Sequence, residues 1–499
     1  MENFDYYLQK TQEVGFVEKV LQTLVYVSGI PSVKPNEVVI FETGDLGLVT
    51  SLAKDEVEVL LLTNSNVEVG TKLTRKDEEL TVPLSDELLG QAVDSLGVPV
   101  DRPLSKEKQI EFRPIDSPPP PISLRKNIDS FFETGVVKVD LIVPLGKGQR
   151  QLVVGDRKTG KTSFLLQTAC SAASQGIICI YAAIAKKSSD IKLIDEFLQS
   201  KKIKSKTVLV VSHSGDAPGK IFLTPYTAMT LAEYFKDMGN DVLVILDDMT
   251  AHAKYYREIS LLARRFPGRS SYPGDIFYVH AKLMERAGNF LLPVDKKGNA
   301  AKTVSITALP VSELVLGDLS GYIQTNLMAM TDGHIFFDID LYNQGKRPPV
   351  NPFLSVTRVG RQAQSPLFRD INRELTSFLV KLEDLKRFMH FGAELGEKTR
   401  KSLALGERVS IILDQKPDEI VPVNISVILL AAVWSGYWAG RGESEIKKEV
   451  QQLIGAYNSD QSYREKVSSS LANLTNFSDL VAFLKKNSEL LLGFGTAKV

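Results

Sequence analysis

The sequence predicts a multidomain α/β protein with a β-rich N-terminal domain, a central parallel sheet covered by helices, and a helical C-terminal domain. Three observations lead to this fold class. Short β-forming runs recur before residue 85, apolar strands alternate with helical segments from Thr134 onward, and helical spacing of apolar residues begins after Ser365. At 499 residues the chain is too long for one hydrophobic core.

The N-terminal domain is placed at residues 1–85, and it begins with a short polar helix or a loose tail. Three β-rich runs separated by turn residues, 20–27, 37–41 and 57–62, predict a small barrel or sandwich. Turn residues and four consecutive prolines then predict a connector at 103–133.

The connector belongs to a central domain placed at residues 86–365. Five continuous apolar strands are predicted there, at 151–154, 177–183, 208–212, 242–246 and 304–309. Such strands with helices between them indicate a parallel sheet buried on both faces.

The remaining residues, 366–499, are expected to form a helical domain. One helical face carries Leu367, Ile371, Leu375, Phe378, Leu382 and Leu385. The longest apolar run, 425–440, is interrupted by polar residues and glycine and falls short of the roughly 20 residues that span a membrane. We therefore expect a buried helix there, and membrane association only through partners.

Composition argues against several classes of protein. Lys plus Arg equals Asp plus Glu at 60 each, so no excess positive charge favours nucleic acid. The N-terminus lacks the basic and apolar regions of a secretory signal. Cys170 and Cys179 are expected to be buried thiols of a reducing compartment, and the histidines form no metal-binding or triad-like local pattern.

The strongest motif is a phosphate-binding P-loop that follows the strand at 151–154 and opens a helix. It reads Gly155, Asp156, Arg157, Lys158, Thr159, Gly160, Lys161, Thr162 and then Ser163. The glycines let backbone N–H groups approach a triphosphate, Lys161 reaches its outer phosphates, and the Thr162 hydroxyl is placed to ligate Mg²⁺. Strand, loop and helix occur in the required order, so we predict a nucleotide site.

An acidic pair ends the strand at 242–246. A carboxylate at the end of an apolar strand downstream of a P-loop is typical of a Mg²⁺-positioning residue, and we assign Asp247 as an outer-sphere or direct partner of Mg²⁺. Asp248 suits the alternative role of capping the next helix.

Efficient hydrolysis also requires a group that orients the attacking water. The strand next to the loop ends at Lys186, where no carboxylate is present. A protonated amine cannot act as a base, so nucleotide binding without efficient turnover is predicted.

Arg358 follows a Pro-rich segment at a predicted strand end. It could reach across a subunit boundary to a transferring phosphoryl group, although its residue pattern alone favours an ordinary surface or salt-bridged arginine.

These motifs together resemble the α subunit of F-type ATP synthase over nearly the whole chain. The resemblance is carried by the P-loop, by Asp247 and Asp248, and by the segments 264–269, 272–275 and 355–360.

The resemblance implies a β-barrel, a RecA-like P-loop nucleotide-binding domain and a C-terminal helical bundle. Three such chains would alternate with three catalytic β subunits around a γ subunit, and each would hold a MgATP or ADP that it does not turn over. Arg358 would complete the neighbouring catalytic site, Ser355 matches a serine needed for activity, and Arg347, Pro348 and Gln415 match the adenine pocket.

The resemblance further implies proton- or sodium-driven ATP synthesis or hydrolysis at the cytoplasmic face of a bacterial inner membrane. The chain would be peripheral there and reach the membrane only through the Fo sector. A peripheral stalk containing δ is a further implied partner, although the N-terminal helix is shorter here.

Several positions depart from the family pattern. Lys186 and Lys158 each replace Gln, Pro417 replaces a second adenine-contacting Gln, and Thr357 replaces Ser. These changes indicate a divergent member. Lys186 in this setting could contact phosphate or point to solvent.

Two other classes of protein remain as alternatives. A catalytic homohexameric ATPase of the flagellar or type III secretion kind should carry Glu at the position of Lys186. A Rho-like RNA translocase should show a basic, aromatic RNA-binding barrel, which the neutral composition does not favour.

Overall fold

The computed structural model describes residues 3–54, 56–64, 67–105, 110–292, 301–390 and 396–492. Its strands are β1 (Gly15–Leu21), β2 (Leu24–Ser28), β3 (Glu37–Phe41), β4 (Leu46–Leu52), β5 (Val57–Leu61), β6 (Lys72–Glu79), β7 (Thr81–Leu84), β8 (Ala92–Val93), β9 (Glu111–Pro114), β10 (Arg125–Lys126), β11 (Phe131–Phe132), β12 (Leu145–Gly146), β13 (Leu152–Asp156), β14 (Ile178–Lys186), β15 (Thr207–His213), β16 (Val242–Asp247), β17 (Gly288–Leu292), β18 (Lys302–Leu314), β19 (Gly333–Phe337) and β20 (Val356–Thr357). Its α-helices are α1 (Phe4–Thr11), α2 (Val137–Ile142), α3 (Lys161–Ser174), α4 (Ser188–Ser200), α5 (Pro218–Asp237), α6 (Met249–Leu262), α7 (Ile276–Glu285), α8 (Tyr322–Met330), α9 (Ile339–Asn343), α10 (Pro366–His390), α11 (Glu397–Leu413), α12 (Val423–Ser435), α13 (Glu443–Ser459), α14 (Gln461–Ala472), α15 (Phe477–Lys486) and α16 (Ser488–Leu492).

The chain divides into two compact units. The first unit comprises residues 1–126, 176–313 and 318–331, and the second comprises 127–175, 314–317 and 332–499. The domain boundaries expected after residues 85 and 365 stay a prediction.

The first unit begins with the barrel. Strands β1 to β6 close in the order β1, β2, β5, β4, β3, β6, and alternate residues such as Val25, Val39 and Val59 fill the interior. The β-rich run 20–27 forms the β1–β2 hairpin rather than one strand, because Gln22 has a φ of 54° and reverses the chain. The expected N-terminal helix is α1, which Asn3 caps by accepting from the Tyr6 N–H.

A parallel sheet forms the centre of the first unit. Its strands β8, β15, β14, β16 and β18 run parallel, and β17 adds an antiparallel edge to β18. Every residue of β16 is buried, as expected for a sheet covered on both faces. The region predicted as turns and connector is more ordered than expected, since β8 joins this sheet and β9 pairs with β7.

The second unit combines a small sheet with the C-terminal helices. β13 runs parallel to β19, and β20 pairs antiparallel with β19. The helices α10 to α16 form the bundle, with Leu367, Ile371 and Leu375 of α10 buried as predicted. The apolar run from 425 forms most of α12 and is almost wholly buried.

Barrel, parallel sheet and helical domain together confirm the predicted fold class. Among the described residues, no helix is both long and apolar enough to cross a membrane. Cys170 and Cys179 are both buried, as predicted.

Candidate functional site

The P-loop lies in the second unit, between the end of β13 and the start of α3. A side chain at Gly155 would place its Cβ 2.5 Å from the carbonyl oxygen of Phe337 on β19, so only glycine fits beside that strand. Gly160 has a φ of 93°, in the left-handed region that glycine adopts without strain. The two glycines therefore fix how the loop leaves the strand and enters the helix.

The loop concentrates positive charge at the N-terminus of α3. Lys161 is buried, and its ammonium donates to the carbonyl oxygens of Gly155 at 2.8 Å and Asp156 at 2.7 Å. Arg157 and Lys158 are exposed on the loop. The first N–H groups of a helix lack partners inside the helix, and the helix dipole adds partial positive charge there. The loop is therefore suited to an anion such as a phosphate chain.

The polar side chains around the loop have different surroundings. Thr159 is buried and its hydroxyl donates to the Asp156 carbonyl oxygen at 2.7 Å, which holds the turn. Thr162 is exposed and Ser163 is half-buried on the first turn of α3. The Asp156 carboxylate accepts from the Gly317 N–H at 2.8 Å. Thr162 is thus the hydroxyl that is accessible to a ligand.

A cavity of about 340 Å³ opens in the same unit, a size within the range of small-molecule sites. Its lining includes Val137, Arg347, Ile412, Gln415, Pro417, Val421, Leu429 and Ile454. Lys416, Lys447 and Lys448 also line it. Two carboxylates, Asp414 and Glu419, line it as well, and the cationic groups outnumber them. Aliphatic walls with an excess of cationic groups suit a flat ring attached to an anionic chain.

Gln167, on α3, connects the P-loop helix to this cavity. Its side-chain amide donates to the carbonyl oxygens of Lys416 at 2.9 Å and Glu419 at 2.8 Å. Gln167 follows Lys161 by six positions, which is about 9 Å along a helix at 1.5 Å per residue. The helix that opens with the P-loop therefore also fixes one wall of the cavity.

Gln415 shapes the cavity through the backbone. Its Oε1 accepts from the Val137 N–H at 2.9 Å, and its Nε2 donates to the carbonyl oxygens of Gly135 and Glu419, both at 2.8 Å. Both N–H donors of the amide are thus used within the chain. Gln415 can therefore line the pocket, but it has no amide hydrogen left to donate to a ligand in this conformation.

Arg347 and Pro348 are held in place in a similar way. The Arg347 guanidinium lies 3.8 Å from the centre of the Tyr342 ring and donates to the Tyr342 carbonyl oxygen. The buried Lys138 ammonium donates to the Pro348 carbonyl oxygen at 2.7 Å. Burial lowers the pKa of Lys138 to about 8, and the charge of Asp414 only partly opposes that effect.

Arg358 and Ser355 lie at the edge of the second unit's small sheet. Arg358 directly follows β20, its side chain is exposed, and its backbone N–H donates to the Asp332 carbonyl oxygen at 2.9 Å. The Ser355 hydroxyl donates to the Asn351 carbonyl oxygen at 2.6 Å and accepts from the Phe336 N–H at 2.9 Å. Ser355 therefore fixes the approach to β20, the strand that presents Arg358.

Lys186 and Asp247 lie together in the first unit, at the carboxyl ends of the adjacent strands β14 and β16. The Lys186 ammonium is 2.7 Å from Oδ1 of Asp247 and 3.7 Å from Oδ2 of Asp248. The Tyr181 hydroxyl donates to the other Asp247 oxygen, Oδ2, at 2.9 Å. Lys186 therefore pairs with the acid that the sequence assigned to a metal, rather than pointing to solvent.

The ionisation of Lys186 and Asp248 follows from burial and from the charges around them. Burial disfavours the ammonium of Lys186, but the charges of Asp247 and Asp248 outweigh burial and raise its pKa. Burial raises the pKa of Asp248 to about 6, although Lys186 opposes this shift. Lys186 is thus a cation at neutral pH and cannot accept a proton from water.

Asp248 has the alternative role that the sequence indicated. Its Oδ1 accepts from the Ala251 N–H at 2.6 Å and caps α6. Among the described residues, no group of three or more His, Cys, Asp or Glu side chains is arranged to hold a metal. Each oxygen of Asp247 accepts one hydrogen bond, and the ammonium beside Oδ1 offsets the negative charge that would attract Mg²⁺.

The predicted site residues belong to both units. The P-loop, Arg347, Pro348 and Gln415 belong to the second unit, as do Ser355 and Arg358, whereas Asp247 belongs to the first. Sequence reasoning missed Gln167, Lys138 and Tyr181. A polar residue on the buried face of the P-loop helix was the available signal for Gln167.

Comparison with known proteins gives a consistent result. Residues 135–357 match the nucleotide-binding domain of the ATP synthase alpha/beta family, and residues 364–487 match the C-terminal domain of the ATP synthase alpha/beta chain. An ATP synthase subunit alpha from Wolinella succinogenes is 37% identical over 88% of this chain and 87% of its own length. One from Carsonella ruddii is 33% identical over 95% of this chain and 99% of its own length.

The chain belongs to the ATP synthase α subunit family. The matched nucleotide-binding domain, residues 135–357, contains the P-loop and the paired aspartates. A third relative, the ATP synthase subunit alpha of Neorickettsia sennetsu, is 35% identical over 90% of this chain and 88% of its own length. Family membership confirms the resemblance and accounts for a nucleotide-binding domain here.

Proposed function

We propose that this chain is a non-catalytic α subunit of a rotary ATP synthase. It binds ATP or ADP at the P-loop without turning it over, and it supplies Arg358 to a reaction on an adjacent β subunit. Its relatives carry the name ATP synthase subunit alpha, which supports membership of such a complex.

The pairing of Lys186 with Asp247 carries the non-catalytic assignment. Turnover requires a group that orients water and takes its proton. At the end of β14 this chain has an ammonium 2.7 Å from Asp247, and the charge of that acid keeps it protonated. The end of β14 therefore lacks a base that could activate water.

The exposure of Arg358 supports the second part of the proposal. Its backbone N–H donates to the Asp332 carbonyl oxygen, and the residue is exposed at a sheet edge. An arginine that completes a neighbour's site must be held at its base and accessible at its tip. An arginine finger accelerates phosphoryl transfer by about three to five powers of ten.

The phosphates and the base of the nucleotide would bind at two different parts of the second unit. Arg157, Lys158, Lys161 and the N-terminus of α3 would hold its phosphates, and the cavity beside Gln415 would hold its base. Thr162 stays the predicted Mg²⁺ ligand from the chain, whereas the partners of Asp247 do not favour it in that role.

The partners follow from the same assignment. The chain would alternate with β subunits around a γ subunit, with a δ-containing peripheral stalk as a further partner. It would lie at the cytoplasmic face of the inner membrane, and only the Fo sector would contact lipid.

Binding and turnover by the purified full-length chain test the proposal. We expect ATP to bind stoichiometrically and to be recovered unhydrolysed. Lys161→Ala should abolish binding because the loop loses its buried cation, whereas Lys398→Ala, which removes an exposed lysine from α11, should not. Steady hydrolysis by the isolated chain would contradict the non-catalytic assignment.

A further inference from the structure

Arg358 follows β20, a strand of two residues. β20 pairs with β19 through Val356 opposite His334 and Thr357 opposite Gly333. A pairing of this length adds little stability by itself, since even a longer isolated two-stranded ribbon is marginally stable in water. The position of the backbone at Arg358 therefore depends on contacts outside the strand pairing.

The hydroxyl of Thr357 connects the turn that carries Arg358 to another segment of the second unit. Its Oγ1 donates to the Pro144 carbonyl oxygen at 2.9 Å and accepts from the Gly360 N–H at 3.1 Å. The Gln149 Nε2 donates to the same Oγ1 at 3.3 Å. These contacts use the one donor and the two acceptor lone pairs of a hydroxyl. One side chain thus closes the turn around Arg358 and attaches it to the segment before β13.

A close backbone approach fixes the far end of this turn. A Cβ at Gly360 would overlap the carbonyl oxygen of Pro144, so the chain after Arg358 runs directly against that carbonyl. The turn therefore cannot move toward Pro144. Movement in the other direction would break the hydrogen bond from the Thr357 hydroxyl.

The backbone of Arg358 has a second support, which is itself well held. Its N–H donates to the Asp332 carbonyl oxygen at 2.9 Å. The Asp332 carboxylate accepts from the Arg150 guanidinium at 2.8 and 3.1 Å and from the Arg150 N–H at 2.9 Å. Since Asp332 is anchored in this way, the turn closed by Thr357 is the remaining element that sets where Arg358 lies.

From these contacts we infer that the Thr357 hydroxyl is a positioning group for Arg358 in the reaction of the adjacent β subunit. Stabilisation of a transferring phosphoryl group depends on placement, and a misplacement of about 1 Å can lower the rate by about a hundredfold. The hydroxyl acts on the backbone from which the guanidinium extends and touches no substrate. The inference rests on the proposed function and names a further residue that this function requires.

Two substitutions at position 357 test it in a complex reconstituted from this chain with β and γ subunits. Thr357→Val keeps the shape of the side chain but removes the hydroxyl. We expect it to lower kcat by about tenfold to a hundredfold with the KM for ATP unchanged, because the arginine acts in the transition state. Thr357→Ser keeps the hydroxyl and should restore turnover. Equal turnover by the two variants would overturn the inference, since the methyl group rather than the hydroxyl would then matter.

A double variant shows whether the hydroxyl acts through Arg358. Adding Thr357→Val to Arg358→Ala should leave the residual turnover unchanged, because the group that Thr357 positions is already absent. A further fall in turnover would overturn the inference, since a general disturbance of the fold acts in either background. Loss of ATP binding by the Thr357→Val chain would overturn it as well. Full activity of the Arg358→Ala complex would instead overturn the proposed function and the inference together.

Discussion

Two histidines form a buried pair in the first unit. The Nε2 atom of His252 lies 3.0 Å from the Phe222 carbonyl oxygen, so this nitrogen must donate. The Nδ1 atom of neutral His252 therefore accepts from Nε2 of His280 at 3.1 Å. Burial lowers the pKa of His252 to about 4 and that of His280 well below its usual value. Protonation of His252 would place two N–H donors face to face, which breaks the pair.

The pair predicts an acid-sensitive stability. Both rings are neutral in the folded protein but take up protons near pH 6.5 when the chain is unfolded. Their contribution to the free energy of unfolding is therefore complete above pH 6.5 and is lost as the pH falls toward 4. His252 alone should account for about 2 kcal/mol of the free energy of unfolding lost between pH 7 and pH 5. Urea unfolding at both pH values measures it.

A double variant provides the comparison for this prediction. His252→Gln with His280→Gln should lose less stability over the same pH interval than the wild-type chain, whatever its stability at pH 7. An equal loss in both proteins would show that other groups cause the acid sensitivity.

At the scale of residues, the sequence predicted the roles of single side chains better than the contacts between them. The missing carboxylate at Lys186 and the cap role of Asp248 could be inferred from order along the chain. The Lys186–Asp247 pair could not, because it depends on β14 lying beside β16, with Ala183 opposite Asp247. The His252–His280 contact similarly needs the packing of α6 and α7, which residue spacing does not reveal.

At the scale of elements, the segment β13–loop–α3 depends on close backbone approach. An alanine at position 155 would bring its Cβ within 2.5 Å of the Phe337 carbonyl oxygen and 2.6 Å of the Phe337 Cβ. The backbone of β19 cannot move away without breaking its parallel pairing with β13. The P-loop is therefore positioned by a strand contact as well as by its own residues.

Gly155→Ala should lower the free energy of unfolding by about 1–3 kcal/mol, because the strands must separate to admit a methyl group. Thermal unfolding measures the loss, and faster hydrogen exchange in β13 would locate it. The same substitution at Gly455, an exposed position inside α13 with open space around it, should instead stabilise the chain by about 1 kcal/mol. Equal effects at both positions would refute this packing argument.

The strands of the central sheet could be predicted from sequence because continuous apolar runs produced them. Their ends were less certain: β14 continues to Lys186 and β18 extends from Lys302 to Leu314, beyond the apolar segments predicted. The short strands β8 and β9 were missed, since pairing with distant partners rather than local residue preference forms them.

At the scale of the whole molecule, barrel, nucleotide-binding domain and helical domain follow one another as in the ATP synthase α subunit family. Composition and periodicity predicted these three domains. The assembly with β and γ subunits was inferred only from the resemblance. The sequence could not indicate that the Gln415 side chain hydrogen-bonds to backbone groups of Gly135 and Val137, because those residues are distant along the chain.

The most direct test of the account is ATP hydrolysis by a complex reconstituted from this chain with β and γ subunits. Arg358→Ala should lower the turnover rate by about three to five powers of ten while ATP binding by the variant chain stays unchanged. Arg361→Ala, at an exposed position on the adjoining turn, should leave turnover near the wild-type rate. Full activity of the Arg358→Ala complex would contradict the claim that this chain completes its neighbour's catalytic site.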